Sequence, residues 1–245
     1  MSERVASDPT GPGDPQRALR AGAILNLSAI ETSLRAVQAE FPRINAILKS
    51  PRDRMDDAIV ENMLAGYAAV DNLLARKVDL FSVANLRQFL ELNATVLCGV
   101  RPQTRVEAAQ HLAATEARFY EETDGGIRDI MEWYEMHAKE GAELRAAGVY
   151  IRVLSLPELF IEGNHRTGAL IMSYILARDG HPPFVLTVDN AKAYFDPSTL
   201  ITKKKKKSLT LLFEMPRLKR NFAEFLHSQA KARYLQTKSR QPQSG

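Results

Sequence analysis

Leu156-Pro157-Glu158-Leu159-Phe160-Ile161-Glu162-Gly163-Asn164-His165-Arg166-Thr167-Gly168 leads without a break into the apolar segment Ala169-Leu-Ile-Met-Ser-Tyr-Ile-Leu-Ala177. Leu170, Ile171, Tyr174 and Ile175 recur on one helical face, and Gly180 with Pro182-Pro183 supplies the stop. The spacing predicts a buried helix that starts near Asn164, a good N-cap residue, just after flexible Gly163. Backbone N–H groups at such a start lack intrahelical partners and sit at the positive end of the helix dipole, so an anion docks there at low cost. Arg166, in the first turn, is placed to fork onto a phosphate. Glu162, just outside the cap, could hold a divalent cation against it. An ordinary helix cap would give the same pattern.

Phe160-x-Glu162-Gly163-Asn164-x-Arg166 resembles the core of the Fic (Fido) signature, in which His-Pro-Phe-x-Asp/Glu-Gly-Asn-Gly-Arg-x-x-Arg carries nucleotide transfer to a protein hydroxyl. Arg145-Ala-Ala147 and Ile151 to Leu156 resemble the helix that leads into it. The match is specific over about a dozen residues and loose over about 60–180. The resemblance implies a mainly α, Fic-like helical bundle with at most a short β element. It also implies Mg²⁺ on Glu162, an anion hole at Gly163 and Asn164, phosphate on Arg166, Phe160 in the core, and a nucleotide donor, with ATP the first candidate.

The signature is degenerate. Glu158 stands where the family has its general-base His, Leu159 where it has Pro, His165 at the second Gly and Ala169 at the last Arg. If a base acts, it is Glu158 or His165. An exposed carboxylate with pKa near ~4 is weak and needs burial, whereas an imidazole at a helix start has its pKa lowered by the dipole. Asp57-Ala-Ile-Val-Glu61-Asn62 resembles the family's inhibitory helix, in which the Glu pairs with the last signature Arg; with Ala169 at that position, Glu61 has lost the partner. An amphipathic helix with a surface Glu reads equally from these residues.

The 245 residues, 45% hydrophobic and 25% charged, suffice for one sizeable domain with appendages. The single cysteine, Cys98, excludes an internal disulfide framework and fits a reducing cytoplasm. The N-terminus lacks the apolar core of a signal peptide, and no window reaches the ~20 apolar residues of a membrane span. Residues 1–20, rich in Pro and Gly, are expected to be disordered, with the helical domain over 21–202 and a basic segment over 203–245.

Apolar periodicity predicts helices from Ile24 to Leu48, broken in two at Pro42, then from Met55 to Ala75 and from Val83 to Leu97. The Fic resemblance would place a target-docking hairpin over Arg101–Gly126. Val106 to Glu121, rich in Ala, Glu and Gln, reads as helix instead. Asp124-Gly-Gly126 is a turn, and the helix from Ile127 to Ala138 carries Trp133 as a core residue. Phe184 to Val188 reads as a short strand, followed by a helix or loop at Ala191–Phe195 and an irregular piece from Asp196-Pro197. His111 and His137 have no second ligand at helical spacing, and Walker, dinucleotide and Gly-x-Ser-x-Gly motifs are absent.

From Lys203 onward twelve Lys and Arg face two Glu. The run Lys203 to Lys207 reads as a solvated loop, and Leu218, Phe222, Phe225, Leu226 and Tyr234 as the apolar stripe of a basic helix. That helix packs on the body or meets nucleic acid, anionic lipid or an acidic partner. Two functions stand open: a nucleotide-binding protein with altered transfer onto a protein target, or a non-catalytic interaction or regulatory protein.

Overall fold

The computed structural model describes residues 24–122, 125–206 and 209–236, and the expectation for 1–20 lies outside them. The chain is mainly α. Ten helices run in order among the described residues: α1 (Leu27–Ala46), α2 (Asp57–Ala75), α3 (Arg87–Cys98), α4 (Pro102–Glu107), α5 (Ala109–Phe119), α6 (Ile127–Met136), α7 (Ala142–Leu154), α8 (Asn164–Arg178), α9 (Ala191–Ile201) and α10 (Leu209–Ser228). Short 3₁₀ turns lie at Val83–Asn85 and Ala232–Tyr234. Pairing outside helices is confined, among these residues, to isolated bridges between Leu25 and Leu235 and between Leu156 and Lys205.

The middle of the molecule is α8, buried on every side from Thr167 to Ala177. A helix that is apolar all round has to be wrapped, and α2, α3 and α7 supply the wrapping. Gly168 lets α7 come close, since a Cβ there would sit 2.8 Å from the Tyr150 ring. On the far side of α7, Gly148 lies under Trp133 of α6, which is 4% exposed. The chain is helical over Pro102–Glu107 and Ala109–Phe119, in keeping with the helix expected over Val106 to Glu121 and not with the hairpin that the resemblance placed there.

Four local expectations are corrected. Pro42 lies inside α1 rather than between two helices, because Phe41 and Ile44 on either side of it are held in the core and one lost backbone bond does not undo that burial. Pro197 likewise lies inside α9, whose Tyr194, Ser198 and Ile201 are buried. Val188 already lies in a turn, and Phe184–Thr187 forms no strand. Side chains satisfy it instead: the Phe184 carbonyl accepts from Tyr67 (2.6 Å) and Ser173 (2.8 Å), that of Val185 from Asn190 (3.0 Å) and that of Leu186 from Ser33 (3.1 Å).

The lysine run is the fourth. Its backbone clasps the segment before the signature, with Leu156 N donating to Lys204 O and Lys206 N to Leu156 O, both at 2.7 Å. Lys206 is buried and donates to the Gly125 carbonyl, while Lys207 lies outside the described residues.

The basic tail packs on the body. Phe222 and Leu226 are buried, and Phe222 stacks on Tyr150 of α7 with centroids 5.0 Å apart. Lys219 pairs with Glu140 and sits over the Trp133 ring. Tyr234 then returns to the N-terminal segment, where its carbonyl accepts from Asn26 N (2.8 Å) and its hydroxyl donates to Ser33 (3.1 Å). Phe222→Ala, by removing a buried ring, is expected to cost about 3–5 kcal/mol in urea unfolding. Gly148→Ala, whose new carbon would lie 1.8 Å from the Trp133 ring, is expected to cost about 1–3 kcal/mol by overpacking.

Candidate functional site

Helix α8 begins at a left-handed residue. Gly163 has φ +76°, which L side chains rarely adopt, and it is the N-cap, with no side chain to cap the helix. Asn164 is therefore the first helical residue and not the cap expected from its residue type. Its amide faces back into the preceding loop, where Nδ2 donates to the Phe160 carbonyl (2.8 Å) and to Glu158 Oε2 (2.6 Å) and Oδ1 accepts from Phe160 N (2.9 Å). One buried side chain thus holds the Glu158–Phe160 turn in a fixed curl. Intrahelical bonding starts with Thr167 N donating to Gly163 O (2.9 Å), so the N–H groups of residues 164–166 precede the ladder.

From α3, Asn93 Nδ2 donates to the Glu162 carbonyl (2.9 Å) and to Thr167 Oγ1 (3.0 Å), bracing the loop from below. Its Oδ1 is buried without a partner. Arg118 Nε donates to the Glu158 carbonyl (2.9 Å) and also reaches Gly125, tying α5 to the same turn. Nothing in the sequence marks Asn93, Arg118 or Lys206 for this role, since each acts from a distant element.

Glu158, Glu162, Gly163, Asn164 and Arg166 converge at the helix start. Glu158 is half-buried, and desolvation raises its pKa above the usual carboxylate value, against the Asn164 hydrogen bond and the Lys206 charge. Glu162 is exposed. Arg166 is partly buried, and its Nη1 donates to the Val96 carbonyl near the end of α3 (2.6 Å). Burial lowers its pKa, while Glu162 and Asp56 pull the other way.

His165 turns inward. Arg52 Nη1 can only donate, so His165 Nε2 accepts (3.2 Å), the proton sits on Nδ1, and Nδ1–H donates to the Tyr150 oxygen (3.2 Å). Tyr150 donates to Ser198 Oγ (2.8 Å), and Ser198 to the Tyr194 carbonyl (2.5 Å). Every member of this chain has a direction. Burial, with Arg52 adding to it, lowers the His165 pKa to about 3. Glu61 lies elsewhere, exposed in a cavity of about 630 Å³ with Cys98, Arg101 and Thr104 that includes no residue of the 158–169 segment.

Among the described residues no cluster of three or more His, Cys, Asp or Glu could hold a metal ion by itself. A lone carboxylate at Glu162 suits Mg²⁺ only if a ligand phosphate completes the shell.

No protein-family model matches the chain, and no curated protein does. Among solved structures, two fragments of Fic-1 from C. elegans, one of them a single-residue variant, are similar with TM-score 0.46 and 18% identity, over 87% of this chain. The similarity spans 62% and 61% of those chains, under two thirds of their length. A likeness at that level describes partial shape, and the chemistry is taken from this chain's own residues.

Replacing Asn164 with Ala is expected to cost several kcal/mol, because Phe160 N–H and C=O are left buried without partners at about 1–3 kcal/mol each. Chemical denaturation would measure it. For His165 the folded pKa lies below the unfolded value of 6.5, so only the unfolded chain takes the proton between those limits. Its contribution is therefore intact above pH 6.5 and declines as pH falls toward about 3. His165→Gln should flatten the pH dependence of unfolding free energy across that window, and the wild-type imidazole should show no NMR titration between pH 5 and 8.

Proposed function

We propose that the chain is a degenerate Fic-like protein that binds a nucleotide or related phosphate-bearing ligand at the Gly163–Arg166 helix start without transferring a group from it. The reading rests on the resemblance of Phe160-x-Glu162-Gly163-Asn164-x-Arg166 to the family signature and on the left-handed Gly163 that begins α8. Free N–H groups at the start of a long helix, with an arginine in its first turn, favour a phosphate. Glu162, exposed beside them, would hold Mg²⁺ together with that phosphate.

The observation that carries the non-transferring reading is the bond from Asn164 Nδ2 to Glu158 Oε2 at 2.6 Å. The group at the family's base position is part of the loop's own scaffold. His165 is no substitute base, being a partly buried, neutral acceptor for Arg52. The second reading, transfer with Glu158 as base, is favoured by one fact: burial raises the Glu158 pKa in the direction a general base needs.

Calorimetric titration with Mg²⁺ and ATP, GTP, CTP, UTP or nucleotide sugars tests binding, and Arg166→Ala is expected to weaken any hit by about tenfold or more. Labelled donor should leave no label on candidate protein targets above background. Transfer that disappears in Glu158→Ala would replace this reading with the second, and absence of binding across the panel would remove both.

A further inference from the structure

A second site lies beside the first. Between α1, α2, the start of α8 and α9 is a cavity of about 210 Å³ walled by apolar groups such as Leu34, Phe41, Met63, Phe184 and Phe195. Glu158, Glu162, Gly163 and Asn164 do not line it. The two tyrosine hydroxyls in its wall are already committed, Tyr67 donating to the Phe184 carbonyl and Tyr194 to that of His165. Its remaining polar lining is Arg52, His165 and Arg166, with Asp53 exposed to solvent.

Arg52 is a positioned cation. Asn45 clamps its backbone from both sides, accepting from Arg52 N (2.7 Å) and donating to Arg52 O (3.0 Å). Its guanidinium lies over the Phe195 ring and donates to Thr199 Oγ1 (2.7 Å), the Phe195 carbonyl and His165. Each of these partners is neutral. Neither Arg52 nor Arg166 forms an ion pair with a described residue, and Arg52 Nε is buried with no hydrogen-bond partner. A guanidinium held only by neutral partners at the wall of an apolar cavity lacks a counter-anion.

We propose that this cavity binds a small carboxylic acid with an apolar body, its carboxylate on the Arg52 guanidinium. The volume suits a small ligand: at ~30 Å³ per water the space of about 210 Å³ equals about seven waters, the scale of a medium-chain fatty acid or an aryl carboxylate. A carboxylate would supply the negative charge that the neutral partners of Arg52 do not, and the fixed Arg52 loses little freedom on binding. Arg166 adds long-range attraction while it stays on the Val96 carbonyl.

Octanoate is the probe, with octanamide as its uncharged analogue of nearly equal shape, followed by calorimetry and thermal unfolding of the full chain. Octanoate is expected to bind and raise Tm, with octanamide at least about tenfold weaker. Arg52→Gln should weaken octanoate by about tenfold or more. Should that variant not fold, Ala169→Leu, which fills the cavity while leaving Arg52 in place, should abolish binding in a protein of unchanged circular dichroism. No octanoate binding by the wild type, equal affinity for octanamide, or unchanged binding in folded Ala169→Leu would overturn the proposal. Nucleotide titrations are read separately, so failure at the helix start leaves this result standing.

Discussion

Burial of α8 on all sides is the constraint from which the rest follows. A helix wrapped so completely has only its ends available for contact, and its N-terminal end opens at the surface, at Gly163 and Glu162. The loop before it must reach that end without leaving polar groups unmet in the core. Asn164, Asn93, Arg118 and the Lys204–Lys206 backbone meet that demand from four different elements. The helix start is consequently a rigid platform, and its rigidity comes from polar side chains rather than from the loop's own sequence.

That scaffold explains how Glu158 and His165 are accommodated. Glu158 has its charge steadied by Asn164 and Lys206, so it is tied to the loop that it adjoins. His165, a bulky residue at a helix start, needs space, and it finds space by turning into the body between Arg52 and Tyr150. The imidazole there lies between two regions of different chemistry: a polar helix start and a largely apolar cavity. The imidazole has thus been absorbed as internal structure.

Much of the fold was legible because helices announce themselves locally. Met63, Tyr67, Val70 and Leu74 are buried as their spacing requires, Trp133 is in the core, and residues 102–119 are helical despite the hairpin that the resemblance implied. The misreadings share one cause, which is long-range compensation. Pro42 and Pro197 look like breaks until their neighbours' burial is known, and Phe184–Val188 looks like a strand because nothing nearby shows that Tyr67, Ser173 and Ser33 will take its carbonyls. At the helix start, Gly163 and Arg166 could be singled out from their motif, but Asn93 and Arg52 could not. Neither carries a local pattern, and both act only after the chain has brought residues some seventy or more positions apart together.

The pairing of Leu25 with Leu235 joins the two ends of the described chain, and Asn26, Ser33 and Asp71 all take part in closing it. Loop closure over such a span is entropically costly and comes late, after shorter-range contacts have formed. On a ribosome, α1 must therefore wait with its Tyr234-facing surface uncovered until residue 236 has emerged, during which α2 and α8 can already pair. Among the described helices α1 is thus the first made, and the surface that Tyr234 covers stays open to association until the other end of the described chain arrives.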